Sequence, residues 1–332
     1  MPSSNIDSST SLTVVVLRSG EEGLPMSEYA EELRARLPDH SVQLAQTPRE
    51  ERELVQDAEV ITGSSLRPEV LNNAHSVRLF AGTTSGYDHL PLAELRDRNV
   101  GVTNASGIHA PGIAEQTIGN MLVFARRLHV GWQQKQDRSW AHYQGGELHG
   151  STVTIVGLGA IGTAVARRLE PFEVRTIGVR YTPEKGGPTD EVVGFDADDI
   201  HAAFARSEYV AIASPLTEDT RGLIGAQEFE TLPPNAVVIN VARGPIVQTE
   251  ALVRALQEGE IRGAALDVTD PEPLPPDHPL WSLDNALITP HMGGSTPHHW
   301  SRLADILQEN IQTATETGQW SELRNQVLSP TA

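Results

Sequence analysis

Residues 153–169 read VTIVGLGAIGTAVARRL. A short β-branched run leads into Gly157, Gly159 and Gly162. Beyond them the apolar residues recur at helical spacing, so the stretch reads as strand, tight turn and helix. Gly157 permits the sharp turn, Gly159 lets backbone approach a pyrophosphate, and Gly162 allows the helix to lie close on its strand. The N-terminus of that helix adds partial positive charge and uncommitted N–H groups for a phosphate. Glycine spacing alone is a weak signal. With a strand before it and a helix after it, the stretch becomes a dinucleotide-binding signature within a doubly wound α/β sheet.

Residues 174–185, VRTIGVRYTPEK, hold the next strand and its end. An acidic residue there would accept hydrogen bonds from a ribose 2′-hydroxyl. Arg180 takes that place with Tyr181 beside it, and a guanidinium pairs with a 2′-phosphate and stacks on adenine. NADP(H) is therefore the expected cofactor, with NAD(H) second. The competing reading is a solvated Arg180 in a protein indifferent to the extra phosphate.

Outward from this point the alternation is regular. Apolar strands are expected at 153–157, 174–179, 209–213, 236–241, 263–267 and 286–289, six in all, enough for a complete doubly wound sheet. Upstream, strands are expected at 12–17, 42–44, 60–61 and 79–81, with a helix from Met26 to Leu37. A long helix should start at Pro111 and run to Leu128, with Ile113, Ile118, Leu122 and Ala125 on its apolar face. Gly131 to Gly150 has little periodicity, which marks a junction near residue 111. After Gly293-Gly294 the helical segment 296–317 is too short for a domain and should pack back on the first one. The expected organisation is therefore α/β with two interleaved units. A dinucleotide-binding domain (111–293) is inserted into a substrate domain (1–110 plus 294–332), and both are doubly wound parallel sheets. Residues 1–10 read as a loose polar tail.

The chain has 332 residues, no Cys, and 25 basic against 44 acidic residues, a net charge of −19. Thiolate metal sites, cysteine nucleophiles and disulfides are excluded. Sequence-independent binding to nucleic acid or to an anionic membrane is disfavoured. Lys occurs only at Lys135 and Lys185. An acidic, Lys-poor surface suits a halophilic protein, because concentrated salt screens its self-repulsion; acidic drift in a high-GC genome is the alternative. MPSSNIDSST lacks the parts of a signal peptide and no stretch reaches ~20 apolar residues, so a cytoplasmic protein is expected.

Three motifs close the cofactor region: VINVARGPIV (238–247), ALDVTDPEP (265–273) and ITPHMGG (288–294). Each falls at or just past an expected strand end, where open α/β sheets bind ligands. Reduction of a 2-keto acid needs its carboxylate held, its carbonyl polarised and a proton delivered to oxygen. Arg243 offers a forked donor, His291 a proton, and Glu272 a carboxylate to orient the imidazole and stabilise its charged form. His291, His298 and His299 do not suggest a metal, since adjacent His298 and His299 would leave a helix on different faces. Trp132, Trp140, Trp281 and Trp300 read as packing or interface anchors. Trp300, shortly after His291, is the one to test as a substrate contact.

Together with the glycine turn and SPLTEDTRGLI (214–224), these motifs resemble, in order and spacing, the D-isomer-specific 2-hydroxyacid dehydrogenase family. The resemblance spans about residues 75–310 and implies a Rossmann cofactor domain inserted into a flavodoxin-like substrate domain. It implies NAD(P)-dependent reduction of 2-keto acids to D-2-hydroxy acids, with Arg243 binding and polarising the substrate. Glu272 and His291 would form the acid/base pair, and Asp267 would meet the nicotinamide carboxamide. Further cofactor contacts would fall at Ala160, Ile161, Ser214, Pro215 and Thr220, and at Val241, Ala242, His291 and Gly293. TTSGYDHLPL (83–92) is similar to the family's substrate loop, and its counterparts for holding the carboxylate are Ser85 and Gly86. The resemblance leans to the glyoxylate/hydroxypyruvate reductase branch and implies a homodimer through the cofactor domains, with 131–150 as an arm. Ser85 and Arg180 depart from the common pattern and leave the substrate side chain and cofactor preference open. A dinucleotide-sensing regulator is the rival from another class; retention of Arg243, Glu272 and His291 argues against it.

Overall fold

The computed structural model describes residues 11–19 and 24–331; the tail expected over residues 1–10 lies outside them. The chain divides into two compact units, one running to Ile108 and resuming at Thr296, the other from His109 to Ser295.

The first unit is built on β1 (Thr13–Val16), β2 (Ser41–Leu44), β3 (Val60–Gly63), β4 (Leu79–Gly82) and β5 (Gly101–Thr103). They are parallel in the order β2-β1-β3-β4-β5, and a final strand, Gln326–Leu328, runs antiparallel along β5. Period-two alternation puts Val14, Val16, Val60 and Leu79 in one core and Val15, Leu17, Ile61 and Phe80 in the other. Strands buried on both faces need such unbroken apolar runs. The helices Met26–Arg36 and His299–Thr317 share the first core through Tyr29, Leu33, Leu303 and Leu307. An Arg36–Asp305 ion pair at 2.6 Å adds to their contact.

Trp300 takes the packing role expected of it, and not that of a substrate contact. It is 4% exposed and stacks on Tyr29 with ring centroids 5.0 Å apart. It therefore serves the core rather than a ligand. Strand β5 and the terminal strand were not anticipated, because three-residue strands are too short to show a period.

The second unit holds β6 (Thr152–Val156), β7 (Arg175–Val179), β8 (Glu191–Val193), β9 (Tyr209–Ile212), β10 (Val237–Asn240), β11 (Gly263–Leu266) and β12 (Ala286–Ile288). All are parallel, in the order β8-β7-β6-β9-β10-β11-β12. This is a seven-stranded sheet where the sequence reading gave six. The addition, β8, is a half-buried edge strand with no continuous apolar run. Val210, Ile212 and Val238 face one core while Tyr209, Ala211, Val237 and Ile239 face the other. The order reverses at β6, so the glycine turn after it sits at the switch point that parallel sheets use for ligands.

The long helix runs from Ala110 to Arg126. Arg127 in the left-handed region ends it, and a second helix, Leu128–Gln136, follows. From Gly131 on, that helix lies in the stretch read as irregular. It buries none of its residues, so no apolar periodicity marks it.

Candidate functional site

Gly157 has φ +98°, and a Cβ on it would stand 2.7 Å from the Ser214 nitrogen. One on Gly162 would stand 1.9 Å from the Gly157 carbonyl oxygen, so the helix Ala160–Leu169 can approach β6 this closely only without a side chain there. Gly159 has nothing within 4 Å of its ideal Cβ and forms the open side of the turn. The helix starts with no side-chain cap, which leaves the N–H groups of Ala160 and Ile161 for an anion. Ser214 is buried and its Oγ has no protein partner among the described residues. Open glycine, uncapped N–H groups and an orphan hydroxyl fit a dinucleotide pyrophosphate.

Arg180, at the end of β7, is partly buried, and its Nη1 donates to the Gly186 carbonyl. Tyr181 stacks on Phe195 at 4.3 Å, with its hydroxyl 3.4 Å from Asp219 Oδ2. Leu158 wedges these parts together. A Cβ on Gly178 or Gly187 would lie 2.4 or 2.6 Å from its Cδ1, so both glycines make room for it. In the 214–221 loop, the buried Thr220 donates its hydroxyl to Pro215 O and accepts from Thr217 N, both at 2.7 Å. Its hydroxyl is committed to the loop, while Pro215 is exposed.

The chemical residues follow three neighbouring strands. Arg243 comes after β10 on a turn formed by the buried Val241 and Ala242; it is exposed, and its Nη1 donates to the Ala242 carbonyl at 2.7 Å. Glu272 lies beyond β11 and His291 beyond β12. His291 Nδ1 and Glu272 Oε1 are 2.7 Å apart. Ionised carboxylate accepts only, so Nδ1 carries the proton and Nε2 is the nitrogen left to face a ligand.

Asp267 organises this end. It is 4% exposed. Its Oδ1 accepts from Met292 N at 3.0 Å, Thr289 Oγ1 at 2.6 Å and Gln116 Nε2 at 2.8 Å; its Oδ2 accepts from Gly293 N at 2.9 Å. His291 itself has φ +49°. That left-handed conformation costs a non-glycine residue roughly 1–2 kcal/mol. Each hydrogen bond to a charged group contributes about 1.5–3 kcal/mol, so the two main-chain bonds from the next two residues outweigh the strain.

The Arg243 and Glu272 loops also meet. A Cβ on Gly244 would fall 1.9 Å from Thr269 O and 2.2 Å from its carbonyl carbon. Thr249 Oγ1 then donates to Asp270 O at 2.7 Å.

In the first unit, Ser85 and Gly86 are exposed just past β4. Asn104 Nδ2 donates to Ser85 O at 2.7 Å, and Ser85 Oγ reaches Ala105 O at 3.3 Å. A Cβ on Gly86 would meet nothing within 4 Å.

The description "D-isomer specific 2-hydroxyacid dehydrogenase, NAD binding domain" matches residues 118–293. The chain belongs to this dehydrogenase family. It is 36% identical over 250 residues to a glyoxylate reductase of Thermofilum pendens, covering 73% of each chain. It is 38% identical over 228 residues to a glyoxylate reductase/hydroxypyruvate reductase of Mus musculus, covering 67% of this chain and 69% of that one. A solved D-isomer specific 2-hydroxyacid dehydrogenase from Xanthobacter autotrophicus Py2, in complex with NADPH and MES, is 25% identical with a TM-score of 0.75. It aligns over 96% of this chain and 98% of that one. The protein is therefore an NAD(P)-dependent 2-hydroxyacid dehydrogenase in class.

Sequence reasoning did not single out three residues of this dehydrogenase's site: Gln116, Thr289 and Asn240. Gln116 sits on the long helix beside Glu115 and Thr117, and nothing local marks its reach to Asp267. Thr289 and Asn240 lay inside motifs whose charged members drew the reading.

Proposed function

We propose that this dehydrogenase reduces 2-keto acids to D-2-hydroxy acids, with NADPH preferred over NADH. The observation that carries the reading is the His291–Glu272 pair at 2.7 Å, with His291 on a turn anchored by Asp267 and the two residues lying beyond the strands one (Glu272) and two (His291) places over from that of Arg243. When bound, the nicotinamide supplies the hydride that arrives on carbon. Arg243 holds the carboxylate and polarises the carbonyl; His291 enters the step as the imidazolium, gives its Nε2 proton to the oxygen and is left as the neutral imidazole with its Nδ1–H on Glu272, and the product is the hydroxy acid. Glu272 keeps the imidazole in the required tautomer and offsets its charge. Asp267, already bonded to the His291 turn, would also meet the nicotinamide carboxamide, and the N–H groups of Ser85 and Gly86 would bind the carboxylate. The NADPH preference rests on Arg180, and the Xanthobacter relative's NADPH complex is consistent with it.

The same reading makes 111–293 the dinucleotide-binding domain and 1–110 with 294–332 the substrate domain. It places a homodimer contact on the 131–150 arm, supported by the exposure of Trp132 at 63% and Trp140 at 94%. Among the described residues no helix is long and apolar enough to cross a membrane. The net charge of −19 supports a salt-adapted enzyme. Glyoxylate and hydroxypyruvate are the favoured substrates, since relatives bear those names.

One panel tests these points: glyoxylate, hydroxypyruvate and branched 2-keto acids, with NADPH and with NADH, at low and molar KCl. Binding of NADPH with no turnover of any 2-keto acid would refute the catalytic reading.

A further inference from the structure

Asn240 ends β10 and is 1% exposed. Its side chain grips the turn that leads to Arg243: Oδ1 accepts from Ala242 N at 3.1 Å and Nδ2 donates to Arg243 O at 2.9 Å. The peptide joining Ala242 to Arg243 lies between the two peptides so held. Its own carbonyl is the acceptor for Arg243 Nη1 at 2.7 Å. The guanidinium thus leans on a peptide whose tilt Asn240 sets from both sides. Through its main chain Asn240 also accepts from Asp267 N at 2.9 Å, which joins this turn to the anchor of the His291 turn. An amide offers acceptor and donor in one plane, whereas a carboxylate offers acceptors alone and an alkyl group neither.

We propose that Asn240 is a positioning residue for Arg243, fixing the backbone from which the guanidinium reaches the substrate carboxylate. The proposal rests on the reading of Arg243 as the carboxylate-binding group. Ile246 N also donates to Arg243 O, at 3.2 Å, so loss of the Asn240 side chain leaves that carbonyl served and strands chiefly the Ala242 N–H. The turn would then shift rather than unfold.

The test is a double-mutant cycle on the full chain: Asn240→Ala, Arg243→Ala and the double variant, with Asn240→Asp as a second probe. Steady-state constants are measured with hydroxypyruvate and NADPH, and NADPH binding is followed by fluorescence. Asn240→Ala should raise KM for hydroxypyruvate roughly 10- to 100-fold through the loosened carboxylate contact, with kcat lowered as well because the same guanidinium polarises the carbonyl. NADPH affinity should stay within about twofold. Asn240→Asp, keeping the acceptor and losing the donor, should shift KM in the same direction. In the Arg243→Ala background the Asn240 change should add less than about threefold, since the residue it positions is gone. Equal effects in both backgrounds, an unchanged KM in both Asn240 variants, or a parallel loss of NADPH affinity would overturn the proposal. If Arg243→Ala leaves KM and kcat as in the wild type, the assignment of Arg243 falls, and the proposal with it.

Discussion

Gly244→Ala adds a methyl group where the Arg243 loop crosses the loop leading to Glu272. The new Cβ would lie 1.9 Å from Thr269 O, 2.2 Å from Thr269 C and 2.8 Å from Asp270 N, all main-chain atoms. Real Cβ atoms essentially never come within 3.0 Å of such neighbours, and no flexible side-chain end is available to swing away. The two loops must part by about 1 Å, and a displacement of that size in a reacting constellation costs roughly 100-fold in rate. That equals about 2.7 kcal/mol of transition-state stabilisation. Because the glycine turn at 157–162 lies beyond β6, NADPH binding should be spared. The assay is kcat/KM for hydroxypyruvate beside the NADPH dissociation constant by fluorescence. A Gly244→Ala enzyme with kcat/KM within threefold of wild type would show that the two loops do not need this contact, and the argument for coupled placement of Arg243 and Glu272 would fail.

Other outcomes follow from the same geometry. Glu272→Gln removes the carboxylate that fixes the His291 tautomer, and kcat should fall about 10- to 100-fold with NADPH affinity unchanged; an unchanged kcat would remove Glu272 from the acid/base pair. Arg180→Ala should raise the NADPH dissociation constant at least about tenfold and that of NADH less than about threefold, measured by fluorescence titration; equal effects would refute a 2′-phosphate contact. Gly119→Ala, in the long helix with nothing within 4 Å of the new Cβ, should stabilise the protein by about 0.5–1 kcal/mol in urea denaturation. Burial holds the His129 imidazole below its ordinary range, so the unfolded chain takes up its proton first. Its contribution is therefore present above the unfolded value near about 6.5 and is lost as pH falls from there through the lower folded value; a His129→Gln variant should lose less of its urea midpoint between neutral and mildly acidic pH than wild type.

The long apolar runs made most of the strands legible, because parallel strands covered on both faces are mostly apolar, as at Val14–Leu17 and Val237–Ile239. What escaped was short or uncovered. Strand β8 is half-buried, and the helix Leu128–Gln136 fully buries no residue, so neither carries a period. In the site, charged residues inside ordered motifs stood out at once, including Arg243, Glu272 and His291. The supports did not. Gln116 reaches Asp267 across 151 positions of sequence, and no local pattern encodes such a partner. Trp300 packs in the core as expected, and its nearness in sequence to His291 is no guide to which way the helix turns it.

The Leu158 wedge has a consequence for anyone who would retune coenzyme choice. Because its side chain fills the space left by Gly178 and Gly187, the turn that would cradle the pyrophosphate and the loop that carries Arg180 are one mechanical piece. An exchange at position 180 alone would place a new side chain on a frame still braced for the old one. Variants that also relieve or refill the space around Leu158 should show the larger change in discrimination, which makes coenzyme preference here a property of a packed unit and not of a single charge.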